Sequence, residues 1–319
     1  MSNTIDLISK PATTPLSRDY IEHTAFKTTL EAIEEAHGSF GSGDRPINLR
    51  IEGVSGVGKS TAFKIYAGRH PRRKDSTGTV VPVLLVSIPA QPTTKVLYTD
   101  MLRALGANDP GWGTADHQRA RLLMLCKACG VELILMDELQ HFIDRGTART
   151  HGAVADALKS LLDELDIPCV LGGAPRGRKL FALNNQLRNR FTRTVSLRPF
   201  DGTTEVGLAE LLGFVAALID AFDEDIKDFL LQPQIAQRLF FATDGLPRLI
   251  ADFLIEFRRE VAKPAKEPDL DTAFTVFQKV IWPRAPIDRN PFSTLFTSSR
   301  LTEAFEPFNA DSLDGDNHA

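Results

Sequence analysis

The stretch Gly53-Val54-Ser55-Gly56-Val57-Gly58-Lys59-Ser60 decides how this chain folds. It fits the pattern G-x-x-x-x-G-K-[ST] at every position, between an apolar run at residues 47–51 and a helical pattern at residues 59–67. The glycines let the loop curl so that backbone N–H groups surround phosphate oxygens, and the start of the helix adds its positive dipole end. The stretch therefore predicts a nucleotide-binding phosphate loop. The residues expected to contact the nucleotide are Gly53, Val54, Ser55, Gly56, Val57, Gly58, Lys59, Ser60 and Thr61.

An acidic pair follows a second apolar run. Residues 133–136 read Leu-Ile-Leu-Met, and Asp137 and Glu138 come directly after them. A carboxylate at the tip of a buried strand is placed to hold Mg²⁺, which the Ser60 hydroxyl would also bind. The adjacent Glu138 can polarise a water molecule as a general base. We therefore predict a metal site at Ser60 and Asp137 and a hydrolysis site at Asp137 and Glu138, which favours a nucleotide hydrolase over a small-molecule kinase.

Strand-like and helical segments alternate through residues 46–200, and only helical patterns follow. This alternation is typical of a parallel sheet flanked by helices. We expect a flexible and helical N-terminal segment at residues 1–45, an α/β core at residues 46–200, and a helical region at residues 201–282. The acidic end, residues 283–319, is expected to be a partner-binding or disordered tail that is mobile from Leu301 onwards.

The composition is ordinary for a globular protein. The chain has 319 residues, a hydrophobic content of 43% and a net charge of −4. No apolar run approaches the roughly 18 residues of a membrane-spanning helix, and the N-terminus lacks a signal-peptide pattern. Three cysteines make no disulfide framework, so we expect a cytoplasmic protein without a membrane association. Cys126 and Cys129 are expected to be ordinary helix residues, because no second metal-binding pair follows them.

Several motifs in fixed order resemble a known family. The phosphate loop is followed by LILMDELQHF at residues 133–142, LDIPCVLGGAP at 165–175, QLRNRF at 186–191 and DGLPRLI at 244–250. Over residues 20–280 the chain looks like the TniB/TnsC branch of AAA+ ATPases, the transposition regulators related to phage Mu B protein. The resemblance implies a parallel five-stranded sheet, a small helical lid at residues 201–282, and hydrolysis of ATP with Mg²⁺ as a cofactor.

The resemblance also implies roles for three arginines. An arginine finger reaches the ATP of a neighbouring subunit and neutralises charge that develops on the γ-phosphoryl group. We place Arg190 first and Arg188 second for this role. Arg248 resembles the sensor arginine of the lid, which contacts the nucleotide in its own subunit. A finger of this kind requires a homo-oligomer, either a ring or a helical filament.

One position departs from the family pattern. Many AAA+ proteins place Asn, Ser or Thr at the water-sensing end of a core strand, whereas this strand ends in Gly172-Gly173-Ala174. Slow hydrolysis, which suits a switch, is a hypothesis that fits this departure. Gln140 is nearby in sequence, but the sequence assigns it no role.

The resemblance further implies assembly on double-stranded DNA through backbone contacts with little sequence preference. Its implied protein partners are a transposase and a target selector of the TniQ type. Lys95 lies where the family presents basic residues to DNA, and the basic cluster at residues 69–74 fits contacts either with DNA or between subunits. The candidate DNA-binding residues are Thr93, Thr94, Lys95, Arg119, Arg121, Arg145 and Arg149.

Two other functions are compatible with the sequence. One is an AAA+ ATPase of the secretion or helicase-loader type that acts on a protein partner without DNA. The other is a signalling switch that binds nucleotide and oligomerises. The lack of a membrane segment weakens the secretion alternative, and the lack of a clear winged-helix pattern after residue 280 weakens the loader alternative.

Overall fold

The computed structural model describes residue 21 and residues 23–76, 78–144 and 148–309, with the backbone alone for residues 148–151. Five strands form one parallel sheet in the order β4-β5-β6-β1-β7, and two form a separate antiparallel hairpin, β2-β3. The predicted five-stranded parallel sheet is thereby confirmed. The strands are β1 (Leu49–Glu52), β2 (Arg73–Asp75), β3 (Gly78–Val80), β4 (Val83–Ser87), β5 (Leu133–Asp137), β6 (Cys169–Gly173) and β7 (Arg193–Ser196).

Helices cover the sheet and are the regular elements that follow β7 in the described residues. Short 3-10 helices lie at Pro175–Arg178 and Ile287–Arg289. The α-helices in the described residues are α1 (Thr24–Gly38), α2 (Lys59–Arg69), α3 (Thr94–Ala104), α4 (Ala115–Ala128), α5 (His141–Asp144), α6 (Ala148–Leu165), α7 (Lys179–Leu183), α8 (Asn185–Arg190), α9 (Glu205–Leu218), α10 (Glu224–Leu230), α11 (Pro233–Thr243), α12 (Pro247–Val261) and α13 (Leu270–Val280).

The central strands read as continuous apolar runs because they are covered on both faces. Every residue of β5 and β6 is buried, as expected for parallel strands between layers of helices. The edge strand β7 has mostly exposed side chains. Its sequence therefore carries no apolar run, and sequence analysis did not predict it.

Local chemistry explains where several helices begin. The Thr93 hydroxyl accepts a hydrogen bond from the Val96 N–H at 3.2 Å and so caps the start of α3. The residues 228–242, which read as one helix, form the two helices α10 and α11. Pro233 stands at the first position of α11, where its missing N–H costs no helical hydrogen bond, so the chain restarts there.

The polar stretch at residues 68–78, which reads as a loop, contains most of the β2-β3 hairpin. Arg73 pairs with Val80, and Asp75 pairs with Gly78. All three residues of β2 are exposed. The hairpin therefore lacks the alternation of buried and exposed residues by which a strand is recognised in a sequence.

The first helix belongs to the folded core rather than to a separate lead-in. Phe26, Leu30 and Ile33 of α1 are buried in one cluster with Ile51 of β1 and Phe63 of α2. The helical part of the predicted N-terminal segment is thus packed against the sheet on the same face as the helix that follows the phosphate loop.

The chain beyond α13 folds back on the helical lid, here defined as α9–α13. Phe292, Leu301 and Phe308 are each no more than 3% exposed and belong to the lid core. Sequence analysis expected a partner-binding or disordered tail from residue 283 and mobility from Leu301, and the structure differs over residues 283–309. These three side chains are used in packing within this chain, whereas Leu295 and Phe305 of the same segment are exposed. Residues 310–319 lie outside the described residues.

Charged groups fix this C-terminal segment. Arg300 donates two hydrogen bonds to the carboxylate of Asp244, at 2.7 and 2.6 Å, and Asp244 ends α11 in a left-handed conformation. Asp244 is 4% exposed. The carboxylate is therefore a buried charge whose hydrogen-bonding needs are met from a segment about 56 residues away in sequence.

The described helices are all too short or too polar to cross a lipid bilayer. Cys126, Cys129 and Cys169 are buried free thiols. Burial raises the pKa of the Cys126 thiol to about 12, so this group stays protonated and packs as an apolar residue. The expectation of ordinary helix residues fits Cys126 on α4 and Cys129 at its end.

We predict that Arg300→Ala destabilises the protein by about 1–3 kcal/mol, because it leaves the buried Asp244 carboxylate without its partner. The free energy of unfolding from chemical denaturation measures this loss. Arg259→Ala is the matched control, since Arg259 makes an exposed ion pair with Glu256 at 3.4 Å that is worth less than about 1 kcal/mol. Equal losses in the two variants would contradict the assigned importance of the Arg300–Asp244 pair.

Candidate nucleotide site

The phosphate loop joins β1 to α2 through backbone conformations that favour glycine. Gly56 has φ +86° and Gly58 has φ +105°, a region that other residues rarely adopt. A side chain at Gly53 is excluded for another reason, because its Cβ would lie 2.3 Å from the Leu197 carbonyl oxygen. The loop is therefore held in a tight curl, and α2 begins immediately after it at Lys59.

Lys59 lies folded into the loop. Its Nζ donates to the carbonyl oxygens of Gly53 at 2.7 Å and Val54 at 2.9 Å, and the residue is 9% exposed. Burial lowers the pKa of Lys59, whereas the negative charges of Asp137 and Glu138 act in the opposite direction. The ammonium group thus lies in a partly desolvated site close to both carboxylates, where its attraction for a phosphate anion is little screened by water.

Asp137 ends the buried strand β5, in register with Ser87 of β4. It is 7% exposed, and its Oδ1 accepts a hydrogen bond from the Glu138 N–H at 2.8 Å. A Cβ at Gly172 of the neighbouring strand would clash with the Phe63 ring at 2.7 Å, and it would lie at an ordinary contact distance, 3.4 Å, from Asp137 Oδ1. The sheet therefore fixes one carboxylate at its carboxyl edge, as the apolar run before it predicted.

Glu138 starts the turn after β5 with φ +64°. Its carboxylate accepts a hydrogen bond from Nε2 of Gln140, and Oε1 of Gln140 accepts one from the Ala174 N–H at 2.9 Å. The turn is further fixed by His141, whose Nδ1 donates to the Ile88 carbonyl oxygen at 2.7 Å. Sequence analysis identified Glu138 but not the group that holds it. In the sequence, a glutamine two residues after Glu138, together with two glycines at the end of β6, is the signal that could have indicated this contact.

The oxygen donors at this site suit Mg²⁺. Ser60 is partly buried in the first turn of α2, Thr61 beside it is exposed, and Asp137 offers a carboxylate. The described residues contain no group of three or more His, Cys, Asp or Glu side chains that could hold a metal by themselves. A small set of hard oxygen ligands fits an ion that takes its remaining ligands from phosphates and water.

The lid touches the phosphate loop through Arg248, in the first turn of α12. Its backbone N–H donates to the Gly56 carbonyl oxygen at 3.2 Å, and its Cβ lies 3.4 Å from where a Cβ of Gly56 would be. The side chain is 73% exposed, and its ion pair with Asp252 is loose at 3.8 Å. Arg248 therefore has its backbone fixed at the loop and its guanidinium group free to turn.

The two arginines of α8 have different environments. The Arg190 side chain is 8% exposed, pairs with Asp163 and donates to the Leu162 carbonyl oxygen at 3.2 Å. Burial lowers its pKa, with a smaller effect of Arg45 in the same direction. Arg188 is exposed. Arg190 is thus committed to α6 of its own subunit, while Arg188 projects from the surface.

The described candidate DNA-binding residues differ in how far their polar groups are already bonded within the chain. Lys95 is exposed and Thr94 partly exposed at the start of α3. Arg119 is bound to Glu164 and Ser160 of α6, and Arg121 donates to two backbone carbonyl oxygens, those of residues 108 and 109. The side chains of Arg145 and Arg149 lie outside the described residues. Lys95 with Thr94 is therefore the described candidate whose polar groups are most available.

Comparison with known proteins agrees with this architecture. The family model of the bacterial TniB protein matches residues 16–200, and no curated protein sequence matches the chain. The chain is similar to Cdc6p from Pyrobaculum aerophilum, with a TM-score of 0.60 and 12% identity over 87% of this chain and 73% of that one.

Two further solved structures share the fold. The Aeropyrum pernix ORC2 protein, solved as ADPNP–ADP complexes, has a TM-score of 0.58 and 15% identity over 83% of this chain and 70% of its own. The RuvB Holliday junction branch migration motor of Thermotoga maritima has a TM-score of 0.51 and 19% identity over 86% and 73%, respectively. At such low identity these likenesses show the AAA+ fold alone.

The family match is the more specific finding. It spans more than half of the chain and includes the phosphate loop, the Asp137–Glu138 pair and the arginines of α8. Together with the AAA+ fold and the geometry of the nucleotide site, it establishes that the chain belongs to the TniB family and is an ATP-hydrolysing enzyme.

Proposed function

We propose that this protein is a cytoplasmic regulator of DNA transposition that assembles with ATP on double-stranded target DNA. The subunits form a ring or helical filament that links a TniQ-type target selector to a transposase. The observation that carries this proposal is the match of the TniB family model to residues 16–200. The three buried free thiols support a reducing compartment.

The nucleotide is ATP, and different residues of the chain bind its phosphates, hold its metal ion and activate the attacking water. Backbone N–H groups of residues 53–60 and the ammonium group of Lys59 bind the phosphates. Ser60 and Asp137 would hold Mg²⁺, which when bound neutralises charge on the β- and γ-phosphates. Glu138 orients a water molecule and takes its proton as the general base. The electrostatic effect of both carboxylates on the pKa of Lys59 supports this division.

The assembly depends on ATP because each ATP site is completed by an arginine of the same subunit's lid and by an arginine of a neighbouring subunit. Arg248 contacts the nucleotide from the lid of the same subunit, and its contact with Gly56 supports this role. Arg188 supplies the finger to the neighbouring subunit. Its exposure favours it over Arg190, whose pairing with Asp163 keeps it within its own subunit.

DNA binds at the start of α3. Lys95 contacts a phosphate, and Thr94 adds a hydrogen bond. The start of a helix favours an anion through its free N–H groups and its dipole. These contacts recognise the backbone, so binding has little sequence preference. The intramolecular bonds of Arg119 and Arg121 support giving them a structural role instead.

The first test compares Glu138→Gln with Lys59→Ala. We expect Glu138→Gln to keep ATP affinity and to lose hydrolysis by about 10²–10⁴-fold, because it removes the general base. It should therefore accumulate ATP-bound assemblies, and Lys59→Ala should lose nucleotide affinity and form none. Electron microscopy with ATP, with and without duplex DNA, measures assembly. Assemblies that are indifferent to DNA would favour an AAA+ switch that acts on a protein partner.

The second test separates the two arginines of α8. Arg188→Ala should bind ATP normally but lose hydrolysis by roughly 10³-fold or more, because the finger acts only on the charge of the transition state. Arg190→Ala should instead lower the thermal midpoint, since it removes a buried side chain that joins α8 to Leu162 and Asp163 of α6. Turnover rates and melting curves of both variants give the answer. Normal hydrolysis in Arg188→Ala would place the finger elsewhere.

The third test measures the salt dependence of DNA binding. Lys95→Ala should weaken binding to duplexes of any sequence and reduce the slope of log K against log salt by about one, as expected for one lost phosphate contact. Lys27→Ala is the matched control, because Lys27 is 66% exposed on α1 and is also a single positive charge. An unchanged slope in Lys95→Ala would remove α3 from the DNA interface.

A further inference from the structure

Gln140 connects the acidic pair to the neighbouring strand through a buried amide. The residue is 8% exposed, and its Oε1 accepts the Ala174 N–H at 2.9 Å. A backbone N–H can only donate, so this contact fixes which end of the amide is the oxygen. Nε2 is then the end that faces Glu138, and it donates to Oε2 of that carboxylate. The orientation of the amide is thus determined by the protein and not by solvent.

The end of β6 is shaped to admit this side chain. A Cβ at Gly173 would lie 2.9 Å from Gln140 Oε1 and 2.6 Å from Leu139 Cβ. Both distances are shorter than side chains tolerate, so any residue larger than glycine at this position would displace Gln140 or the turn before it. Gly173 and Gln140 are therefore complementary, one leaving the space that the other fills.

The carboxylate of Glu138 needs such support because its own position gives it little. It begins a turn with φ +64° and stands just outside the buried strand. A carboxylate on a flexible side chain samples many orientations, and only a fraction of them place an oxygen beside an attacking water. The bond from Gln140 engages Oε2 and leaves Oε1 available to accept a proton.

We infer that Gln140 is the positioning residue for hydrolysis, because it holds the Glu138 carboxylate in one orientation next to the end of β6. This inference rests on the proposed role of Glu138 as the general base. The turn after β5 thus positions the general base, because Gly172 and Gly173 at the end of β6 and Ala174 after it have no polar side chain. Gln140 acts through Glu138 and does not itself touch the reacting atoms.

The main variant is Gln140→Met, which keeps a long side chain but removes the amide. We expect its kcat for ATP hydrolysis to fall roughly tenfold or more, because Glu138 loses its fixed orientation, while KM and the affinity for a fluorescent ATP analogue stay near their wild-type values. Gln118→Ala is the control for loss of a buried amide elsewhere. Gln118 is fully buried and bonds Pro110 and Thr99, away from the acidic pair.

The second variant, Gly173→Ala, changes β6 so as to disturb the same contact between Gln140 and Glu138. Gly173→Ala should reproduce the loss in kcat because its Cβ displaces the amide, and combining it with Gln140→Met should add little. In a Glu138→Gln background, Gln140→Met should not lower the residual single-turnover rate further, since its effect passes through Glu138. Thermal melting of every variant shows which rate losses accompany a loss of folded protein.

The outcomes separate the two claims. If Glu138→Gln hydrolyses ATP normally, the proposed base is wrong. If Glu138→Gln loses hydrolysis while Gln140→Met keeps its kcat, the base stands and the role of Gln140 is overturned. The role is also overturned if Gln140→Met lowers the residual rate in the Glu138→Gln background by the same factor as in the wild type, or if Gln118→Ala gives the same selective loss in kcat.

Discussion

The close approach of the phosphate loop backbone to its neighbours is the constraint on which the rest of this structure depends. Gly53 donates its N–H to the Gly173 carbonyl oxygen at 3.2 Å and leaves no space for a Cβ beside Leu197. Gly56 accepts a hydrogen bond from the first turn of the lid. Because the loop has no side chains at these points, the sheet and the lid can both contact its backbone, and the nucleotide site forms at their junction.

Hydrophobic packing also joins the phosphate loop to the lid. Val57, in the middle of the phosphate loop, is fully buried in the hydrophobic core of the lid together with Leu197 and Phe200. A change in the loop therefore disturbs lid packing as well as phosphate contacts, since interiors at close-packed density transmit small displacements. This connection gives a physical route from the phosphate loop to the packing of the lid.

The sequence by itself determined where the phosphate loop and the acidic pair lie in the fold. The spacing of glycines before Lys59 and the apolar run before Asp137 are local patterns, and each depends on a strand followed by a turn. The alternation over residues 46–200 likewise predicted the parallel sheet. Weakly patterned elements escaped prediction, as β7 and the β2-β3 hairpin show, because exposed strands carry no apolar signal.

Only the tertiary structure decided what each charged or polar group contacts. Arg188 and Arg190 lie in the same short motif, but folding buries Arg190 against Asp163 of α6 and leaves Arg188 exposed. Gln140 accepts a hydrogen bond from Ala174, which directly follows β6 and is distant in sequence. The physical reason is that backbone patterns are set by neighbours along the chain, whereas the burial and pairing of a side chain are set by residues that only folding brings together.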